Sequence, residues 1–197
     1  MCIRDRSECD EPYSWIDINN KEAFEQATEL LLSLGHKRIA LINGTESMTF
    51  AWYRRIGYLQ ALERAGIGKD DSLMFSSMLT ETYGYTVTQQ LIDSGSMPTA
   101  LLVSSYIAAL GVRRALEESG RRIGDDVSVI IHDDDLSYFD NFGDVPQFTS
   151  TRSSVREAGV KGAAMLLDII AEPGGEPRQQ LLQAELIVGA STGRSVH

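Results

Sequence analysis

Short apolar runs with polar C-terminal ends alternate with helix-period segments along most of this chain, and few folds accept that alternation. From Lys21 the apolar residues Phe24, Ala27, Leu31 and Leu34 recur at helical spacing, and Gly35 stands where a C-terminal cap belongs. Arg38 to Asn43, bounded by Gly44, has the continuous apolar character of a strand buried on both faces of a parallel sheet. Gly57, Tyr58, Ala61, Leu62 and Ala65 then mark a second helix, Leu73 to Met78 a strand, and Gly84, Tyr85, Thr88, Leu91 and Ile92 a third helix. Thr99 to Ser104 reads as the next strand, Ala108 to Leu116 as a fourth helix ended by Gly120, and Val127 to His132 as another buried strand. An irregular acidic and aromatic stretch runs from Asp133 to Pro146. After it come Phe148 to Arg152, a helix through Ile170, a turn at Pro173 to Pro177, and the strand-like Leu181 to Val188. Strands alternating with helices of this length predict an α/β fold built on a doubly wound parallel sheet.

Composition narrows the function classes. With 197 residues, 43% hydrophobic and 23% charged, the chain has the material for a substantial globular core. Its formal charge of −10 opposes a phosphate backbone, and the pairs Arg54/Arg55, Arg113/Arg114 and Arg121/Arg122 are separated by acidic stretches, so this chain alone is not expected to hold DNA. Both cysteines, Cys2 and Cys9, lie in the first ten residues without zinc-site or disulfide spacing. The apolar runs are too short for a membrane span, and no hydrophobic stretch follows the start as a signal peptide would require, so a cytoplasmic location is the default expectation. Residues 1–6 have the look of a translated adapter leader and are set aside as non-native.

In open α/β sheets ligands bind outside the carboxyl ends of the strands, so those ends are the candidate site. They are Asn43 to Ser47, Leu79 to Glu81, Ser104 to Tyr106, and His132 to Asp135. Arg54 enters the second helix beside Phe50, Trp52 and Tyr53. A guanidinium donates paired hydrogen bonds to neighbouring hydroxyls, a carboxylate accepts them, and an aromatic face covers a sugar ring, so this edge suits a polyhydroxylated ligand. Asp133 to Asp135 could equally be a solvated turn or a helix cap. A metal-dependent phosphotransfer site lacks a matching carboxylate or lysine set at the other strand ends. His36, after its cap glycine, reads as structural, while His132 either lines the site or packs at its strand end. No Gly-x-Gly-x-x-Gly, Walker loop or Gly-x-Ser-x-Gly elbow occurs, so neither a nucleotide cofactor nor a serine hydrolase is expected.

An ordered set of segments resembles the LacI/GalR family of transcriptional regulators. It comprises Leu34 to Gly44, Arg54-x-x-Gly57-Tyr58-x-x-Ala61-Leu62, Pro98-Thr99-Ala100, Ala109 to Val112, Asp126 to Ile130, and Glu185 to Val188, within a span of about Asn19 to Thr192. The resemblance implies a type I periplasmic-binding-protein-like fold of two lobes around a small effector, with the second lobe nearly complete here and the first mostly missing. It implies that Arg54 binds the sugar, that Asp133 accepts hydroxyls, and that Phe50, Leu79 and Ser104 wall the pocket. Trp52, Ser105 and His132 are further pocket candidates. The family's usual Asn-Asp pair at the third strand end is Ser104-Ser105 here, and its Gly-Tyr/Phe-Asp-Asp is Ile131-His132-Asp133-Asp134.

Family order places a leader and partial crossover at 1–18, the second lobe at 19–150, a return segment of the first lobe at 151–180, and a C-terminal strand and tail at 181–197. The function so implied is effector sensing, with a sugar or glycoside as effector, operator DNA bound through a helix-turn-helix outside this chain, and a homodimer. The alternative is a transport-associated sugar-binding protein of the same fold. No catalysis, metal or cofactor is expected. Arg54 and Asp133 are expected at element ends outside the core, and Val155, Gly159, Gly162, Ala163, Leu166, Leu167 and Ile170 as one uncovered apolar stripe.

Overall fold

The computed structural model describes residues 13–135, 141 and 145–195. From β1 (Trp15–Ile18) the chain enters α1 (Asn20–Ser33) and then alternates through β2 (Ile39–Asn43), α2 (Thr49–Arg64), β3 (Met74–Ser76), α3 (Glu81–Asp93), β4 (Ala100–Val103), α4 (Tyr106–Glu118) and β5 (Ser128–Asp133). After β6 (Thr149–Arg152) come α5 (Val155–Ala171), β7 (Gln179–Leu182) and β8 (Glu185–Ile187).

The large sheet has the order β3-β2-β4-β5-β6-β8, parallel as far as β6, with β8 antiparallel at the edge. The period of two along its strands sorts side chains between two cores. Ile39, Leu41, Ala100, Leu102 and Ile130 pack against Phe24, Ala27 and Leu31 of α1 and Tyr58 and Leu62 of α2. Ala40, Ile42, Leu101, Val103, Val129 and Ile131 pack on the other face against Val87 and Leu91 of α3 and Val112 and Leu116 of α4. Burial on both faces is why these strands run apolar through their central positions instead of alternating.

Local chemistry sets the helix starts. Asn19, Thr80, Ser105 and Ser154 each accept a backbone N–H of the first turn of α1, α3, α4 and α5 in that order. Helices on one face approach closely where glycine permits it. A Cβ at Gly57 of α2 would stand 2.0 Å from the Lys21 carbonyl oxygen of α1, and one at Gly111 of α4 would stand 1.9 Å from the Glu81 oxygen of α3.

A second, smaller unit is built from segments far apart in the chain. β1 pairs in parallel with β7, Trp15 opposite Gln179 through Ile18 opposite Leu182, and Met165 of α5 packs on Ile16 and Leu182. The chain thus leaves the large sheet after Arg152 and re-enters it at Glu185.

Three differences from the sequence-based expectations have physical causes. Leu181 to Val188 is not one strand: β7 ends at Leu182 in the small sheet and β8 begins at Glu185 in the large one, a change of partner that periodicity cannot register. Leu73 to Met78 divides into a 3-10 turn, Asp71–Leu73, and the short β3, because Asp70 accepts the Ser72 N–H at 3.0 Å and holds the turn. Trp15 to Ile18 is a strand, its partner lying more than 160 residues away. His36 is structural as expected, bridging Thr99 Oγ1 at 2.9 Å and the Gly193 carbonyl at 3.0 Å.

Candidate functional site

Between the carboxyl edge of the large sheet and the small unit lies a cleft of about 420 Å³. The large sheet and α2 contribute Phe50, Arg54, Ser104, His132 and Asp134, with Met48 and Leu79 from the loops; β1 and α5 contribute Ile16, Asp17, Ile18, Val155 and Ala158.

Arg54 occupies the floor. It is 5% exposed, and its Nε donates to Asn20 Oδ1 at 2.8 Å while Nη1 donates to the Ser104 carbonyl at 2.7 Å. The guanidinium carbon lies 4.8 Å from the Phe50 ring centre and 5.1 Å from that of Phe24. Burial pushes its pKa down to about 10, opposed by the charges of Asp134 and Asp17, so the group stays cationic near neutral pH. With Nε and Nη1 committed to the protein, Nη2 is the nitrogen left to meet a ligand. The expectation that Arg54 lies outside the core is corrected: its hydrogen bonds join α1, α2 and the end of β4.

Asn43 locks this floor in place. Its amide donates to the Ala51 carbonyl at 2.8 Å, and its Oδ1 accepts the Ser104 hydroxyl at 2.8 Å, so the ends of β2 and β4 and the start of α2 are tied together.

His132 stands beside Phe24, ring centres 6.2 Å apart, with Nδ1 2.9 Å from Thr151 Oγ1. Its Nε2 lies 3.3 Å from both Ser153 Oγ and Asp134 Oδ1. Burial, and next the charge of Arg54, push its pKa down to about 4, so the imidazole is neutral under ordinary conditions.

The three consecutive aspartates part company at the end of β5. Asp133 follows Val129 and Ile131 in facing the α3/α4 side, whereas His132 follows Ile130 in facing α1 and α2. Asp133 is buried, its Oδ1 accepts the Asp135 N–H at 3.0 Å, and burial raises its pKa. It does not appear in the cleft lining, and neither is it outside the core. Asp134 does line the cleft, and Asp135, with φ 56°, pairs with Arg152.

Of the other sequence candidates, Phe50, Leu79, Ser104 and His132 come together in the cleft with Arg54. Trp52 and Ser105 do not line it: Trp52 is half-exposed against the edge of Tyr53, and Ser105 caps α4. Sequence reasoning missed Asn20, Asp17, Asp134 and the apolar residues of β1 and α5. Asn20 carried a signal only as one of two consecutive asparagines before a helix. Asp17 stood out in sequence only as half of a displaced Asp-Asn pair with Asn19, and was not read as a site residue because the partner of β1 lies far away in the chain. Among the described residues no group of three or more His, Cys, Asp or Glu could hold a metal ion.

Chemically, the described residues of the cleft offer one cation, two carboxylates, a neutral imidazole and apolar walls. Such a set binds hydroxyls and covers carbon.

The family profile described as a periplasmic binding protein-like domain matches residues 28–192. The HTH-type transcriptional regulator AglR of Rhizobium meliloti (strain 1021) is 46% identical over 183 residues, covering 92% of this chain and 51% of its own length. Among solved structures, a complex of the transcriptional regulator CelR with cellobiose superposes with a TM-score of 0.86 at 31% identity, covering 96% of this chain and 58% of its own. A dimeric lac repressor with a C-terminal deletion gives a TM-score of 0.84 at 28% identity over 98% of this chain and 69% of its own. The chain spans about half the length of the curated relatives it matches.

Proposed function

The chain belongs to the periplasmic binding protein-like domain family, and on that premise we propose that it is the effector-sensing part of a LacI-type transcriptional regulator, with a sugar or glycoside as effector. The observation that carries this reading is the buried Arg54, held by Asn20 and the Ser104 carbonyl with one nitrogen left over, beneath the Phe50 ring and facing the Asp17 and Asp134 carboxylates. Neighbouring hydroxyls of a sugar match that donor and those acceptors, and the carbon face of the ring matches Phe50, Leu79 and Met48.

The curated relatives named above are regulators with a helix-turn-helix, which favours a regulator over a transport-system binding protein. In this reading a segment outside the chain binds operator DNA, the regulator is a homodimer acting in the cytoplasm, and the effector shifts the balance between two closures of the cleft. Calorimetric titration of the chain with cellobiose, sucrose, maltose and glucose tests it. Saturable binding to at least one sugar that Arg54→Met weakens about tenfold or more is the expected result. An absence of binding across the panel, or equal binding by Arg54→Met, overturns it.

A further inference from the structure

Glycines in this fold meet two kinds of neighbour. A Cβ at Gly57, Gly84 or Gly111 would strike the backbone of a facing helix, at 2.0, 2.0 and 1.9 Å from the carbonyl oxygens of Lys21, Ala108 and Glu81. Gly44, buried directly after β2, is different. The three atoms nearest to a Cβ there are side-chain atoms of two cleft residues: Phe50 Cε2 and Cζ, each at 3.0 Å, and Leu79 Cδ1 at 3.4 Å.

The backbone at Gly44 is tied down on the side of β3. Its carbonyl accepts the Ser76 hydroxyl at 2.9 Å, and the Ser76 oxygen accepts the Glu46 N–H at 3.1 Å. The Asn43 carbonyl accepts the Ser77 N–H at 3.3 Å. The φ of Gly44 lies outside the left-handed region, so the demand for glycine here is steric and not conformational.

With that backbone held, an added methyl must displace what it touches. Phe50 is the second residue of α2, so its ring yields by turning about its side-chain bonds while the helix stays in place. Carbon atoms in contact settle about 3.5 to 4.0 Å apart, so a methyl at Gly44 drives the tip of the ring away by about 0.5 to 1 Å. The ring centre lies 4.8 Å from the Arg54 guanidinium carbon, and the side chain lines the cleft. A displaced ring alters both its distance to the guanidinium and the room it leaves in the cleft. Binding geometry is held to within about 0.5 Å in a working site, so this shift is large enough to be felt.

We propose that Gly44 is a positioning residue of the cleft: by presenting no side chain it sets the depth at which the Phe50 ring lies, and with it the fit of a sugar ring against Phe50. This rests on the sugar-binding reading above and deepens it to the residue that sets one wall of the site.

Two measurements test it separately. The first needs no ligand. The Arg54 Nε–H is buried and donates to Asn20, so its proton resonance reports the ring current of Phe50 beside it. That resonance should move in Phe50→Leu and also in Gly44→Ala. An unmoved resonance in Gly44→Ala overturns the proposal whatever the chain binds. Should Gly44→Ala fail to fold, the double variant with Phe50→Leu decides: a recovered fold supports the contact, and a second failure shows that the glycine serves the backbone, which overturns it.

The second measurement is calorimetry with cellobiose, sucrose, maltose and glucose in a double-mutant cycle. Gly44→Ala should weaken the sugar that binds the parent chain about tenfold, yet change affinity less than about threefold when Phe50 is already leucine. A role confined to folding would give the same factor in both backgrounds, and that result overturns the proposal. Failure of every sugar to bind the parent chain would defeat the sugar reading itself, and the Arg54 resonance would still decide the contact between Gly44 and Phe50.

Discussion

Asn20 accepts the Arg54 Nε–H at 2.8 Å and returns its own amide hydrogen to the Ile18 carbonyl at 3.1 Å. One buried side chain therefore connects the cation on the cleft floor to β1 of the small unit. Asn20 thereby joins the guanidinium of α2 to the last residue of β1.

Asn20→Leu removes that link while keeping the volume. It leaves the Arg54 Nε–H buried without an acceptor, which costs about 1 to 3 kcal/mol. Urea unfolding should show a lower midpoint with an unchanged slope, and the affinity for whichever sugar binds the parent chain should fall with it. Unaltered stability would mean that water replaces Asn20 at no cost and that the link carries no energy.

Acid should destabilise the protein over a definable range. The unfolded chain takes up the His132 proton near 6.5, the folded chain only at about 4, so between those values the unfolded state holds more protons and stability falls as pH drops. The slope approaches about 1.4 kcal/mol per pH unit for one proton at most. His36, also lowered by burial, adds in the same sense. Asp133, raised by burial, works in the opposite sense above 3.8, since its folded form keeps a proton that the unfolded chain gives up. Urea melts across this range for the parent chain and His132→Gln isolate the His132 part. The variant should have the flatter profile; an identical slope would show that burial of His132 is not the cause.

Helix α5 carries two apolar faces. Gly162 and Met165 are buried, Met165 against Ile16 and Leu182, while Val160, Leu167 and Ile170 are 65%, 67% and 63% exposed. The single uncovered stripe expected from sequence is thus divided, with Gly162 turned inward and Val160 outward. Met165→Ala should cost about 2 kcal/mol or more through the cavity it leaves. Leu167→Glu should change stability by less than about 0.5 kcal/mol, yet reduce concentration-dependent self-association seen by sedimentation. Equal sedimentation of the parent chain and Leu167→Glu would mean that the outer face drives no association.

The alternation of β2, β4 and β5 with α1, α3 and α4 was legible in the sequence because hydrophobic period and cap chemistry are local properties. Gly35 and Gly120 close helices with positive φ, and Ser105 caps α4, each within a few residues of the feature it controls. Arg54, Phe50, Leu79, Ser104 and His132 could be brought to one edge for the same reason: the carboxyl end of a buried parallel strand is recognisable where its apolar run stops. Tertiary structure alone decided the rest. Whether Asp133 or Asp134 looks into the cleft depends on the facing of β5 within the sheet and on Thr151 and Ser153, contributed by the neighbouring strand and the turn after it. The roles of Asn20 and Asp17 depend on β1 pairing with β7, and the break of Leu181 to Val188 depends on which sheet each half joins. These are contacts between segments distant along the chain, set by packing and hydrogen-bond partners that no local pattern encodes.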